Sequence, residues 1–178
     1  MAFSVNAPRL SLKLEPKAAP LTDRLAAAKA AAKQGYPIGL HFDPIVYADD
    51  YQKGYKETVE LIDRYVPWDR IAWISLGCFR YQAPLKRQLL EKNPSSLFDE
   101  EFIRAPDGKY RYPKPLRYLL YSTVLNYLKP HLDPLTTVYF CMESGQTWRD
   151  LLGFDPGSLG LTARFREPIL SRPWRIDL

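Results

Sequence analysis

Cysteine and histidine are both scarce in this chain, with two of each in 178 residues. Cys78 and Cys141 form no CxxC pair and match no zinc spacing, and neither HxH nor HExxH occurs, so the sequence spells out no metal centre. Both thiols fall in or just after expected buried strands, where cysteine behaves as a small hydrophobe. That reading is preferred to a catalytic one. GxSxG, a Walker loop and GxGxxG are also missing, which leaves nucleophilic hydrolysis and nucleotide hydrolysis without support. Apolar runs break within about ten residues, well short of the roughly twenty needed to cross a bilayer. The N-terminus lacks the basic-then-apolar order of a signal peptide. A soluble, cytoplasmic protein with no membrane partner is the resulting expectation.

What is present suits one substantial core: 46% of residues are hydrophobic, and the length fits a single domain. Lys and Arg number 25 against 20 Asp and Glu, a net charge of +5 that tolerates nucleic acid without requiring it. The excess is uneven. Residues 161–178 hold Arg164, Arg166, Arg172 and Arg175 against Glu167 and Asp177, in a Pro-containing stretch that reads as irregular. It is either a contact for an acidic partner or a solvated extension.

Periodicity predicts a helix over 22–34, with Thr22 as N-cap and Gly35 as terminator. A polar, proline-punctuated connection over 7–20 precedes it. A strand over 36–42 stopped by Asp43-Pro44, a helix over 52–65, and a strand over 71–76 follow. A helix over 84–92 continues the rhythm, and such strand–helix alternation means parallel strands, flanking helices and right-handed crossovers. Residues 94–115 break it with NPSS and an APDG turn, which marks a functional-loop candidate. A helix over 115–129, a strand over 138–142 and a short helix capped by Ser144 complete the described order.

Several short apolar runs end abruptly in polar or turn residues, so the strand ends carry the candidate chemistry. His41 and Asp43 sit at alternate positions and share a face, where they can bind metal or move protons; a histidine merely hydrogen-bonded at a strand terminus is the alternative. Ser75 and Gly77 end the next strand, with Arg80 just beyond as a fork for carboxylate or phosphate, or as a surface arginine. KYRYPKPLR interleaves Lys109, Arg111, Lys114 and Arg117 with Tyr110 and Tyr112, a composition that suits phosphates and exposed bases and also an ordinary surface. Glu143 is either a site carboxylate or a first-turn residue at a helix N-terminus.

FSVN at 3–6, LAAAKAAAKQGYPIGLHFDPI at 25–45, KGYKET at 53–58, IAWISLGCFR at 71–80, RYPKPLR at 111–117 and VYFCMES at 138–144 occur in one order. Together they resemble the C-terminal half of the spore photoproduct lyase family of radical S-adenosylmethionine (SAM) enzymes, over roughly residues 3 to 153. The resemblance implies an α/β fold forming part of a (β/α) TIM-type barrel over 1–153, with 154–178 as an irregular basic tail. It further implies a SAM contact at Ser4, Asn6, His41 and Asp43, and a substrate contact at Ser75, Arg80, Arg111, Tyr112, Lys114, Arg117 and Glu143. Ala7 departs from members that carry a hydroxyl there, and Asp43 replaces an apolar residue of the spore enzymes.

In the complete family enzyme, an iron–sulfur cluster on a CxxxCxxC loop reduces SAM, and the resulting radical chemistry reverts a thymine-dimer lesion in DNA. Such a cluster needs three thiolates at tight spacing, and this sequence lacks that loop. The expectation is a cluster-less portion of a DNA-repair lyase that is inactive alone, retains neither cofactor, and pairs with DNA and a separately encoded N-terminal half. Its first strand would leave an edge without a partner. A noncatalytic nucleic-acid-binding or partner-completing module is the main rival, and a metal-dependent hydrolase using His41 and Asp43 the weaker one.

Overall fold

The first strand, β1 (Ala2–Ser4), is short, and in the computed structural model, which describes residues 1–92, 98, 100–155 and 157, it leads directly into a two-turn helix, α1 (Pro8–Leu14). The sequence pattern predicts a polar connection over 7–20 and shows no helix there. PRLSLKL is too short to show a period, and Ala7 at the cap position offers no side-chain acceptor; Pro8 starts the helix instead. Helix α2 (Leu21–Lys33) follows, burying Leu21, Leu25, Ala28 and Ala32 along one stripe. Its N-cap is Pro20 rather than Thr22, whose hydroxyl turns to Asp23 at 3.4 Å. Gly35, at φ 84°, ends it as the left-handed conformation requires.

Strand β2 (Ile38–Ile45) runs through Asp43-Pro44 instead of stopping there. The ladder to the next strand slips between Phe42 and Ile45, which absorbs the missing proline N–H. Helix α3 (Tyr51–Tyr65), strand β3 (Ile71–Cys78), strand β4 (Arg80–Gln82) and helix α4 (Ala83–Lys92) come next. Strands β5 (Ile103–Arg104) and β6 (Lys109–Arg111) then form a hairpin across the 105–108 turn, where Gly108 has φ 79°. So the described part of the expected loop supplies two strands of a small antiparallel sheet of order β4-β6-β5. Helix α5 (Lys114–Leu128), strand β7 (Thr137–Phe140) and helix α6 (Gly145–Leu152) complete the described elements, with Ser144 Oγ accepting from Thr147 N as the cap. The last strand stops at Phe140, short of the expected Met142, whose φ of 58° cannot continue it.

The main sheet is parallel throughout, in the order β1-β2-β3-β7. Strands added successively in one direction by right-handed crossovers place their helices on a single face. Contacts agree, since α2 packs on β1 and β2, α5 on β3, and α3 lies between α2 and α5. Leu40, Phe42, Ile74 and Leu76 are fully buried toward that helical layer. Tyr55 from α3 is sealed in the same core, where its hydroxyl accepts from Val46 N at 2.7 Å and donates to Asn6 Oδ1 at 3.0 Å. No helix among the described residues is long and apolar enough to cross a membrane. The basic tail expected over 154–178 lies almost wholly outside the described residues; Phe154 packs on Trp148 and Asp155 pairs with Arg149.

Candidate functional site

Alternation sends every second strand residue to the face opposite the helices. There the register aligns Ser4 with His41, His41 with Ser75, and Ser75 with Tyr139, one polar residue from each of the four strands in a transverse row. Ser75 is the centre, only 1% exposed, with His41 Nδ1 at 3.0 Å on one side and the Tyr139 phenol hydrogen-bonded on the other. Burial raises the Tyr139 pKa against the opposing effect of the Ser75 hydrogen bond, so the phenol stays protonated at neutral pH. Ser4, at the sheet edge, receives Arg24 Nη1 from α2 at 3.0 Å.

One layer toward the strand N-termini, Trp73 lies edge-on to His41 with ring centroids 4.7 Å apart, and 5.9 Å from Tyr139. Its indole occupies the space above Gly39, where an added Cβ would come within 2.2 Å of the ring. One layer the other way, Asp43 and Arg80 make a bidentate pair at 3.1 and 3.0 Å. A Cβ on Gly77 would sit 2.7 Å from the Asp43 carboxylate and 2.9 Å from Arg80 Nη1. That glycine therefore makes room for an internal ion pair.

Arg80 also donates to the Cys78 carbonyl at 3.2 Å and to Cys141 Sγ at 3.4 Å. Burial raises the Cys141 pKa, and the Asp43 carboxylate adds to the rise against Arg80. Burial likewise pushes up the Cys78 thiol. Two cysteines are fewer than the three closely spaced thiolates a cluster needs, and the residues here do not fit an iron–sulfur group. Nor does any group of three His, Cys, Asp or Glu among the described residues suit a metal ion. His41 and Asp43 share the open face but serve different partners.

The structure disperses the remaining candidates. Asn6 is 2% exposed, its amide spent on Tyr55, the Ala7 N–H and the Pro44 carbonyl, so it braces the end of β1. Tyr112 is 1% exposed and stacks on Phe102 at 4.8 Å. Arg117 pairs with Glu143 at 2.9 Å, with their side chains 10% and 4% exposed. Glu143 also accepts from Tyr121, whose hydroxyl takes the Cys78 N–H, and this ties β3, α5 and the start of α6 together. Arg111 pairs with Asp107 and donates to the Met142 carbonyl, while its Nε is buried without a hydrogen-bond partner. Of Lys109, Arg111, Lys114 and Arg117, only Lys114 is exposed, 3.7 Å from Asp150 and over the Tyr118 ring.

Trp73 and Tyr139 are the residues sequence reading missed. The signal for Tyr139 was present, since FSV, LHF, ISL and VYF each set one polar or amphipathic residue between two apolar ones; Trp73 lies outside that pattern, two residues before Ser75 on the same strand face. Beside the row, at the strand C-termini, lies a pocket of about 420 Å³ bounded by Asp43, Phe79, Arg80, Tyr81 and Lys109. A larger groove of about 570 Å³ lies away from it between α1 and α3, with mixed charges on its walls.

A family model described as spore photoproduct lyase matches residues 1–143. The spore photoproduct lyase of Bacillus subtilis (strain 168) is 30% identical over 147 residues, covering 78% of this chain and 43% of that protein. A solved spore photoproduct lyase complexed with dinucleoside spore photoproduct superposes with a TM-score of 0.66 at 25% identity, covering 79% of this chain and 44% of that one. A variant with bound AdoMet and the same dinucleoside matches with a TM-score of 0.66 at 24% identity over the same shares, a likeness of fold. The chain thus spans less than half the length of these relatives.

Proposed function

The chain belongs to the spore photoproduct lyase family, and we propose that it forms the SAM- and lesion-facing lobe of a radical SAM DNA-repair lyase, as part of a (β/α) barrel. One observation carries this reading. The row Ser4, His41, Ser75 and Tyr139 crosses all four strands on the face without a helical layer, next to the strand C-termini where a barrel holds its ligands. Hydroxyl and imidazole groups suit the amino, carboxylate and ribose groups of SAM, and the Trp73 ring suits an aromatic base. Bound there, SAM would supply the adenosyl group on which the family's chemistry depends.

This chain's own contribution is to bind and orient. Ser75 fixes the His41 ring through Nδ1, leaving Nε2 as the nitrogen free to meet ligand, and holds the Tyr139 hydroxyl in the same plane of contacts. The Glu143–Arg117–Tyr121 network keeps the ends of β3 and β7 at a fixed separation beneath the site. The cluster belongs to another segment or chain, because the two cysteines here form no CxxxCxxC loop.

Complementation tests the proposal. Mixed under anaerobic reconstitution with the cluster-bearing part of the Bacillus subtilis enzyme, the chain should convert dinucleoside spore photoproduct to thymidine pairs, and neither part alone should. No turnover and no association between the two parts would refute it. A second reading, a noncatalytic nucleic-acid-binding module, draws on exposed Arg104 and half-buried Lys109 on the side sheet next to the pocket. Salt-dependent DNA affinity with no complementation would favour it.

A further inference from the structure

The pocket at the strand ends is bounded by two cations, Arg80 and Lys109, and one carboxylate, Asp43. Their charges are not equally available. A guanidinium has five N–H groups, and the four on the Arg80 fork are all engaged: Nη1 with Asp43 Oδ1 and the Cys78 carbonyl, Nη2 with Asp43 Oδ2 and Cys141 Sγ. The side chains of the pair are 17% and 22% exposed, and Gly77 leaves the space that lets them meet. An anion approaching Arg80 end-on meets the Asp43 carboxylate first. Lys109 donates to Met142 Sδ at 3.2 Å, a neutral and weak acceptor. Asp107, whose charge Lys109 also feels, is already paired with Arg111.

We propose that Asp43 masks Arg80, so that the pocket takes a single phosphodiester on Lys109, and that the charge of Asp43 sets how strongly it selects anions. The proposal rests on the reading of this site as nucleotide-facing only for its choice of ligand. The masking follows from the hydrogen bonds themselves. Fork-to-carboxylate contact is the strongest arrangement open to an arginine, and Asp43 occupies it from the neighbouring strand. Neutralising Asp43 leaves one acceptor in place but returns the positive charge to the pocket. Neutralising both members leaves the pocket charge as it stands in the native chain.

The test uses the full 178-residue chain, with thymidylyl-thymidine as probe and its uncharged methylphosphonate analogue as control, read by calorimetry. The native chain should prefer the charged probe, and Lys109→Gln should abolish that preference. Asp43→Asn should tighten the charged probe about tenfold, the worth of one charge-assisted contact, with the analogue unchanged. The double variant Asp43→Asn/Arg80→Gln should return to within about twofold of the native value, since it exchanges one neutral pair for another. Should Asp43→Asn fold poorly, this double variant carries the test by itself. A double variant that loses affinity as Lys109→Gln does would show Arg80 already gripping the anion and overturn the masking. So would an Asp43→Asn chain with native affinity, or a native chain that binds both probes alike. None of these readouts needs lyase turnover, so failed complementation leaves the masking test standing, and failed masking leaves the lyase reading to its own test.

Discussion

Ser75 and Arg117 are both more than nine-tenths buried, at 1% and 8% exposed, and both are hydrogen-bonded. Their surroundings differ. Ser75 is covered by His41, Trp73 and Tyr139, all half-buried, so the polar row it centres borders open space. Arg117 is enclosed with Glu143, Tyr121 and the Tyr112 carbonyl, and its charge never reaches the surface. The strand row keeps polar groups where a ligand can meet them, whereas the segment from Lys109 to Arg117 uses most of its own to join β3, α5 and β7. A basic-aromatic sequence is therefore a poor guide to a nucleic-acid surface until its carboxylate partners are known.

The largest effect expected from this contrast is on stability. Arg117→Ala would leave Glu143, 4% exposed, as a buried carboxylate without its cation. Removing one partner of a buried pair costs about 3–5 kcal/mol, so denaturant unfolding should show most of the native stability gone. A loss below about 1 kcal/mol, the range of exposed pairs, would mean that Arg117 is solvated after all and would restore it as a phosphate contact.

Ser75→Ala should cost less, on the order of 1 kcal/mol, because His41 and Tyr139 are half-buried and can turn to water. Its distinctive consequence is local: His41 loses the group that holds Nδ1. The ring-nitrogen NMR signals of His41 should shift toward an unconstrained tautomer mixture while those of His131, beside Asp63 at 3.3 Å, stay put. Unchanged His41 signals would show that the row does not act as a unit.

The two regions also differ in how far they could be read from sequence. Strand alternation is local, so the shared face of His41 and Asp43 was recoverable from order alone, whereas Ser75, expected at a strand end, lies inside β3, which runs on to Cys78. The strands expected over 36–42, 71–76 and 138–142 were recovered within a few residues, with the parallel arrangement that their alternation with helices implies, and β1 only through the family resemblance. Local order did not reveal which partner each charge takes. Arg117 meets Glu143 across 26 positions and Arg80 meets Asp43 across 37, and only the packed sheet and helices bring such pairs together. Helix α1 escaped for the opposite reason, being too short for its period to register.

The smallest effect belongs to Lys114, and it separates charge that is spent from charge that is free. Its side chain is 51% exposed, with Asp150 at 3.7 Å and the Tyr118 ring beneath it. Exposed pairs of this kind are worth about 0–1 kcal/mol, so Lys114→Ala should leave the unfolding midpoint nearly unchanged. If the chain binds DNA through this flank, the same substitution should lower the log–log salt slope by roughly one, the signature of a single lost phosphate contact. Arg111 and Arg117 are already neutralised by Asp107 and Glu143, so removing either should leave the slope where it was in any variant that still folds. A slope that falls with Arg111 or Arg117 but not with Lys114 would reverse this assignment and place the nucleic-acid contact inside the network now read as structural.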